Sequence, residues 1–211
     1  VSPALTELDS FYAMGVRSIG PLWSRPNVFG TGVPFSFPGS PDQGAGLTDS
    51  GKALVRACDQ MNILLDVSHL NEAGFWDIAR LSQQPLLASH SNAHALCPSP
   101  RNLTDRQLDA IAESGGLVGV CFATAYLRSD GRKEPATDID LVLQQLTYLI
   151  DRMGEDHVGL GSDFDGAVLP DNLADCSQLP ILIKALQTNG FGGQLIRKLC
   201  WDNWHQQIKR L

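Results

Sequence analysis

Short apolar runs, bounded by polar or glycine residues, alternate along this chain with longer segments whose apolar residues recur at helical spacing. The runs are "ILLDVSH" (63–69), "PLLASHS" (85–91), "GLVGVCFA" (116–123) and "HVGLGSDF" (157–164). "VRSIGPLW" (16–23) is a weaker member, interrupted by Pro21. Such runs suit strands buried on both faces. Between them, residues 48–61 follow Thr48 and residues 72–82 follow Asn71, both residues that cap helix N-termini. Thr104 and Gln107 have capping-box spacing ahead of Leu108, Ile111 and Ala112, and Gly115-Gly116 ends that segment. The clearest helix runs from 138 to 153, where Ile139, Val142, Leu143, Leu146, Ile150 and Met153 share a face and Gly154 follows. Further helical segments are expected at 178–188 and 192–209.

Strands alternating with amphipathic helices build right-handed βαβ units around a parallel sheet. An open doubly wound sheet and a (β/α)8 barrel both satisfy the pattern. No GxGxxG follows the first strand, which weakens the dinucleotide-binding form of the open sheet. Residues 24–47 make a long Gly/Pro-rich connection, and such loops in compact domains are usually functional or disordered.

Composition removes several classes of function. With 43% hydrophobic and 18% charged residues the chain is foldable and globular. A net charge of −7 without a Lys/Arg cluster argues against nucleic acid or an anionic membrane surface as the main partner. No apolar run approaches the roughly 20 residues of a membrane span, and no signal peptide is visible. Five widely spaced cysteines without a CxxC suggest reduced, mostly buried thiols in a cytoplasmic protein.

Three of the five runs end in a metal-capable or acid–base residue: His69, His90 and Asp163. In a parallel α/β fold the carboxyl ends of the strands share one face, which in a barrel holds the active site. Two neutral imidazoles from neighbouring strands suit Zn2+, and a carboxylate opposite can orient a water or take its proton. Asp66 points away from its strand neighbours and reads as a supporting or structural carboxylate. Asp165 reads as a loop cap. His157, at the start of its strand, and His205, in the terminal helix, read as structural. Of the two histidines in "SHSNAH", His90 is expected to face the site and His94 to lie in the loop beyond it.

Four segments, "DVSHLNEAGFWDIA", "SHSNAHALCPSPRNLTDRQLDAI", "GGLVGVCFA" and "HVGLGSDFDGA", resemble the membrane (renal-type) dipeptidase family of zinc peptidases, its bacterial members above all. The resemblance runs from about residue 8 to 205. It implies a (β/α)8 TIM barrel of the metal-dependent hydrolase type, and hydrolysis of dipeptides at a two-zinc centre by a bridging hydroxide. His69 and His90 resemble two ligands of one zinc. Asp163 resembles the catalytic carboxylate that contacts water and substrate amine. Arg101 resembles the residue that holds the substrate carboxylate, and Tyr126 lies where a pocket tyrosine is expected. Homodimers are common in such a family, although the sequence carries no interface signature.

Departures from the pattern are equally informative. The family's His-x-Asp pair and bridging Glu have no counterpart here, and Glu7 lies too near a helix to serve as the latter. Five strands cannot close a barrel. The expectation is therefore a single domain over 1–211, an incomplete barrel forming the C-terminal part of a longer protein. Trp23 stands where some relatives carry a carbonyl-polarising His, with Arg25 or Asn27 as replacements by proximity. Two other readings remain: a non-catalytic remnant that binds a partner, and a sibling amidohydrolase acting on another amide, ester or lactone.

Overall fold

In the computed structural model, which describes residues 1–211, all five expected strands form and all are parallel. They are β1 (Ser18–Ile19), β2 (Leu64–Leu65), β3 (Leu87–Ser91), β4 (Leu117–Val120) and β5 (Val158–Leu160). β1 pairs with β2, and β3–β4–β5 form a second ladder. One bridge, Asp66 to Leu87, joins the two groups into an arc in chain order. The arc stays open: β1 and β5 each have one partner, so no closed barrel is present. The strands are shorter than the apolar runs because only part of each run pairs with a neighbour.

Helices cover the arc where the periodicity places them: α2 (Asp49–Gln60), α3 (Glu72–Leu81), α4 (Asp105–Glu113), α6 (Asp140–Met153) and α7 (Leu179–Thr188), with α1 (Leu8–Ala13) and α5 (Thr124–Leu127) as short additions. The expected caps are present. Thr48 Oγ1 accepts from the Gly51 N–H at 3.1 Å and Asn71 Oδ1 from the Gly74 N–H at 2.9 Å. Thr104 and Gln107 close a reciprocal capping box. The last segment is α8 (Gly193–Arg197) and α9 (Asn203–Ile208), joined by a π-helical turn over Lys198–Asp202. The main core joins the arc to its helices, with Phe75, Ile78, Leu108, Ile111, Leu146 and Leu149 fully buried.

The ends of β3, β4 and β5 crowd together so tightly that side chains are excluded. A Cβ on Gly161 would lie 2.1 Å from the Ser89 carbonyl oxygen and 2.6 Å from the Gly119 backbone. Gly161→Ala therefore requires backbone movement, and we expect it to lower stability by about 1–3 kcal/mol. The urea midpoint checks this, and an unchanged midpoint would contradict the packing described.

Candidate active site

A Ser-His pair follows β2 (Ser68-His69), and another lies near the end of β3 (Ser89-His90). Asp66 knits the two ends together. Its Oδ1 accepts from the Ser68 N–H at 3.0 Å, the Ser68 hydroxyl at 2.6 Å and the Ser89 N–H at 3.0 Å, and its Oδ2 accepts from the Ser89 hydroxyl. A register shift between Ala88 and Ser91 lets Ser89 and His90 both turn toward this cluster. Burial pushes the Asp66 carboxyl up, but the hydrogen bonds from Ser68 and Ser89 together outweigh it and hold the group below its ordinary value.

The two imidazoles meet with His69 Nε2 and His90 Nε2 3.0 Å apart. Ser24 Oγ stands 2.9 Å from His69 Nδ1, and Ser89 Oγ 2.7 Å from His90 Nδ1. Ser89 has one hydroxyl proton, and the Asp66 carboxylate takes it. Ser89 Oγ must therefore accept from His90 Nδ1–H, which leaves a lone pair on Nε2 of neutral His90. Burial, helped by the Arg101 cation and by His90, pulls His69 down to about 3. Burial and Arg101 likewise lower His90, against the pull of Asp66 and Asp163. Both rings are then neutral near pH 7, the form that binds metals.

This donor set suits a borderline divalent cation. An ion about 2.0–2.1 Å from each nitrogen fits such a pair, and the hydroxyls on both Nδ1 atoms orient the rings. Nowhere does the chain gather three or more His, Cys, Asp or Glu side chains around one point, so it contributes two imidazoles and no complete ligand set.

Arg101 lies directly behind the pair, 3% exposed. Its Nη1 donates to the Ser68 carbonyl and its Nη2 to the His90 carbonyl at 3.3 Å, while Nε is buried without a partner. No carboxylate lies within ion-pair distance of it. The Tyr126 ring, presented by α5, stands 5.4 Å from the guanidinium carbon. Two buried asparagines fix that turn: Asn92 and Asn102 both donate to the Tyr126 carbonyl, at 3.2 and 3.0 Å.

Asp163 follows β5 with φ +67°, a left-handed conformation unusual for a residue with a side chain. A Cβ on Gly166 would lie 2.2 Å from Asp163 Oδ1, so the glycine leaves room for the carboxylate. Its Oδ2 lies 3.9 Å from the buried Cys121 thiol. His69, Arg101, Tyr126 and Asp163 line one cavity of about 340 Å³, together with Trp23, Phe35, Lys133 and Val168. That volume is in the range of small-ligand pockets, roughly 300–1,000 Å³. His90 stands beneath the cavity, against His69.

The expectations for Arg25 or Asn27 and for Asp165 need correction, while His94 and His157 lie where the sequence reading puts them. Asn27 does not face the cavity: it accepts from the Phe29 N–H and donates to the Pro21 carbonyl, so its own loop uses its amide. Arg25 lies over the Trp23 ring at 6.0 Å and does not line the cavity. Asp165 is exposed and makes no capping hydrogen bond; its backbone is left-handed, at φ +64°. His94 Nε2 lies 2.8 Å from the Gly39 carbonyl oxygen and ties down the 24–47 loop. That loop is ordered, held by Gly39 N–H to Pro98 and Val33 N–H to His69. His157 bonds the Gly116 carbonyl at 2.9 Å, on the face away from the site. Ser24, Phe35 and Lys133 were not anticipated, because loops carry no periodicity to place them.

An open arc of parallel strands, with helices packed on it and these groups near the strand ends, defines a parallel α/β protein. Residues 2–210 match the family described as membrane dipeptidase, peptidase family M19. The chain belongs to that family. Two solved structures superpose over 100% of the chain with a TM-score of 0.98 at 56% identity: dipeptidase AC, and a metallopeptidase from Rhodobacter sphaeroides liganded with a phosphinate mimic of L-Ala-D-Ala. This chain spans 60% of each. An uncharacterized protein in the pqqA 5′ region of Klebsiella pneumoniae is 53% identical over 205 residues, 97% of this chain and 76% of its own length. Dipeptidase tcpJ of Claviceps purpurea is 29% identical over 199 residues, 93% of this chain and 45% of its own length. No helix is long and apolar enough to cross a membrane.

The Asp66 cluster yields a prediction. Asp66→Asn removes an acceptor from the buried Ser68 and half-buried Ser89 donors and should cost about 1–3 kcal/mol at pH 7. Because the folded value is depressed, the charge stabilises fully above the unfolded carboxyl value near 3.9, and this contribution fades as pH falls through the folded value. Urea unfolding at pH 7 and pH 3 should show the gap between the two proteins narrowing in acid; a constant gap would contradict the ionised hub.

Proposed function

We propose that this chain carries one side of the active site of a zinc-dependent dipeptidase, in a (β/α)8 barrel that closes in the complete protein. The observation that carries the reading is Arg101, a buried guanidinium without an anionic partner, lining a cavity beside paired imidazoles. Asp66 and Asp163 act on it only from beyond ion-pair distance, and a ligand carboxylate would supply a charge in contact with this buried cation. The dipeptide mimic bound to the Rhodobacter relative supports the same reading.

In this account His69 and His90 would hold one zinc of two through Nε2. The other ligands of such a centre would have to come from residues other than these 211, and the chain spans 60% of the two solved relatives. Zinc bound there would supply Lewis-acid activation of the scissile carbonyl and of water. Arg101 receives the α-carboxylate and fixes which bond lies over the imidazoles. Asp163 meets the substrate ammonium and holds a proton on its carboxylate oxygen during cleavage. Tyr126 packs along the guanidinium and excludes water from it. All five cysteines are free, as a reducing, cytoplasmic setting would leave them.

The test uses the product of the complete gene loaded with zinc. It should hydrolyse simple dipeptides and lose most of that activity when the C-terminal carboxylate is amidated. Arg101→Lys keeps the charge but loses the fork, and should lower kcat/KM for dipeptides by about 10- to 100-fold with metal content intact. Equal turnover of acids and amides would favour a sibling amidohydrolase, and no hydrolysis at all would favour a non-catalytic barrel.

A further inference from the structure

Lys133 enters the same cavity from the loop between α5 and α6. The loop reads "RSDGRKE" over 128–134 and holds three cations. Arg128 grips Asp130 with Nε at 2.8 Å and Nη2 at 2.5 Å, and Arg132 Nε lies 3.9 Å from the same carboxylate. Lys133 has neither a hydrogen bond nor an ion pair of its own. The loop is anchored on both sides of it. Gly131, at φ +67°, takes the Phe37 ring so closely that a Cβ would lie 2.3 Å from Phe37 Cγ. Beyond Lys133, the Asp171 N–H donates to the Pro135 carbonyl at 2.8 Å. Lys133 is thus held at the cavity with no internal partner.

The rest of this wall is apolar. Trp23 and Phe35 meet edge to face at 5.2 Å, both more than half exposed, and Val168 adds to them. If Arg101 takes the α-carboxylate and Asp163 the ammonium, Lys133 is the one charged lining group that nothing on the dipeptide backbone satisfies. What a dipeptide still offers is its side chains.

We propose that Lys133 makes this site selective for dipeptides bearing an Asp or Glu side chain. Its ammonium meets the side-chain carboxylate, while Trp23 and Phe35 flank the methylenes. The inference rests on the dipeptidase reading. Because Lys133 is exposed, its effect should be moderate and sensitive to salt.

The experiment compares isosteric pairs, Glu-Ala with Gln-Ala and Ala-Glu with Ala-Gln, on the zinc-loaded product of the complete gene. In at least one pair kcat/KM should favour the Glu member by about 3- to 10-fold at low ionic strength, and the ratio should fall toward one at about 1 M salt. Lys133→Met should abolish the preference and Lys133→Arg should keep it. A ratio near one in the unaltered protein, or a preference that survives Lys133→Met, overturns the inference. Turnover of the Gln members without a Glu preference removes this selectivity and leaves the dipeptidase reading standing. Turnover of no member overturns that reading, and this inference with it.

Discussion

The Asp66 carboxylate is the constraint on which the site depends. Between β2 and β3 the backbone ladder is reduced to one bridge, so hydrogen bonds of the sheet alone do not hold the two strand ends in register. Asp66 does so instead, by accepting from the backbone and hydroxyl of both Ser68 and Ser89. Burying a carboxylate is expensive unless its oxygens are satisfied, and four donors satisfy them. The same bonds determine the chemistry above. They commit the Ser89 proton to Asp66, so His90 Nδ1 carries its hydrogen and Nε2 faces His69 with a lone pair. A hub of this kind stiffens the strand ends and sets the tautomer of a candidate metal ligand in one step.

Around this centre the loops contribute reach and the glycines contribute proximity. The 24–47 loop brings Ser24 to His69 and Phe35 to the cavity wall, and His94 fastens its middle. Gly119 and Gly161 let three strands converge beneath the site, while Gly166 leaves the Asp163 carboxylate its space. Arg101 stands between the two levels. It braces the carbonyls of Ser68 and His90 from behind and still lines the cavity in front. A residue so placed couples the positions of the imidazoles to whatever anion enters.

Much of the architecture was legible in the sequence because hydrophobic period and burial agree. All five strands lie inside their apolar runs, and the capped helices begin at Thr48, Asn71 and Thr104 as their side chains require. The positions of His69, His90 and Asp163 followed from one topological rule, that parallel strands end on one face. The detail that failed lies where the rule stops. Alternation could not show that Ser89 and His90 would turn together, because a register shift interrupts β3. Proximity in sequence suggested Arg25 and Asn27 as cavity residues, but Asn27 bonds within its own loop. Lys133 sits over a hundred residues from Trp23, and nothing local in either segment announces that they share a wall.

In the dipeptidase proposed above, His69 and His90 would be two ligands of one zinc, held ready by Asp66. Anomalous diffraction at the zinc edge, from crystals of the complete gene product, tests it most directly. A peak is expected within about 2.0–2.1 Å of both Nε2 atoms. Bound zinc with no density between these two rings would contradict it.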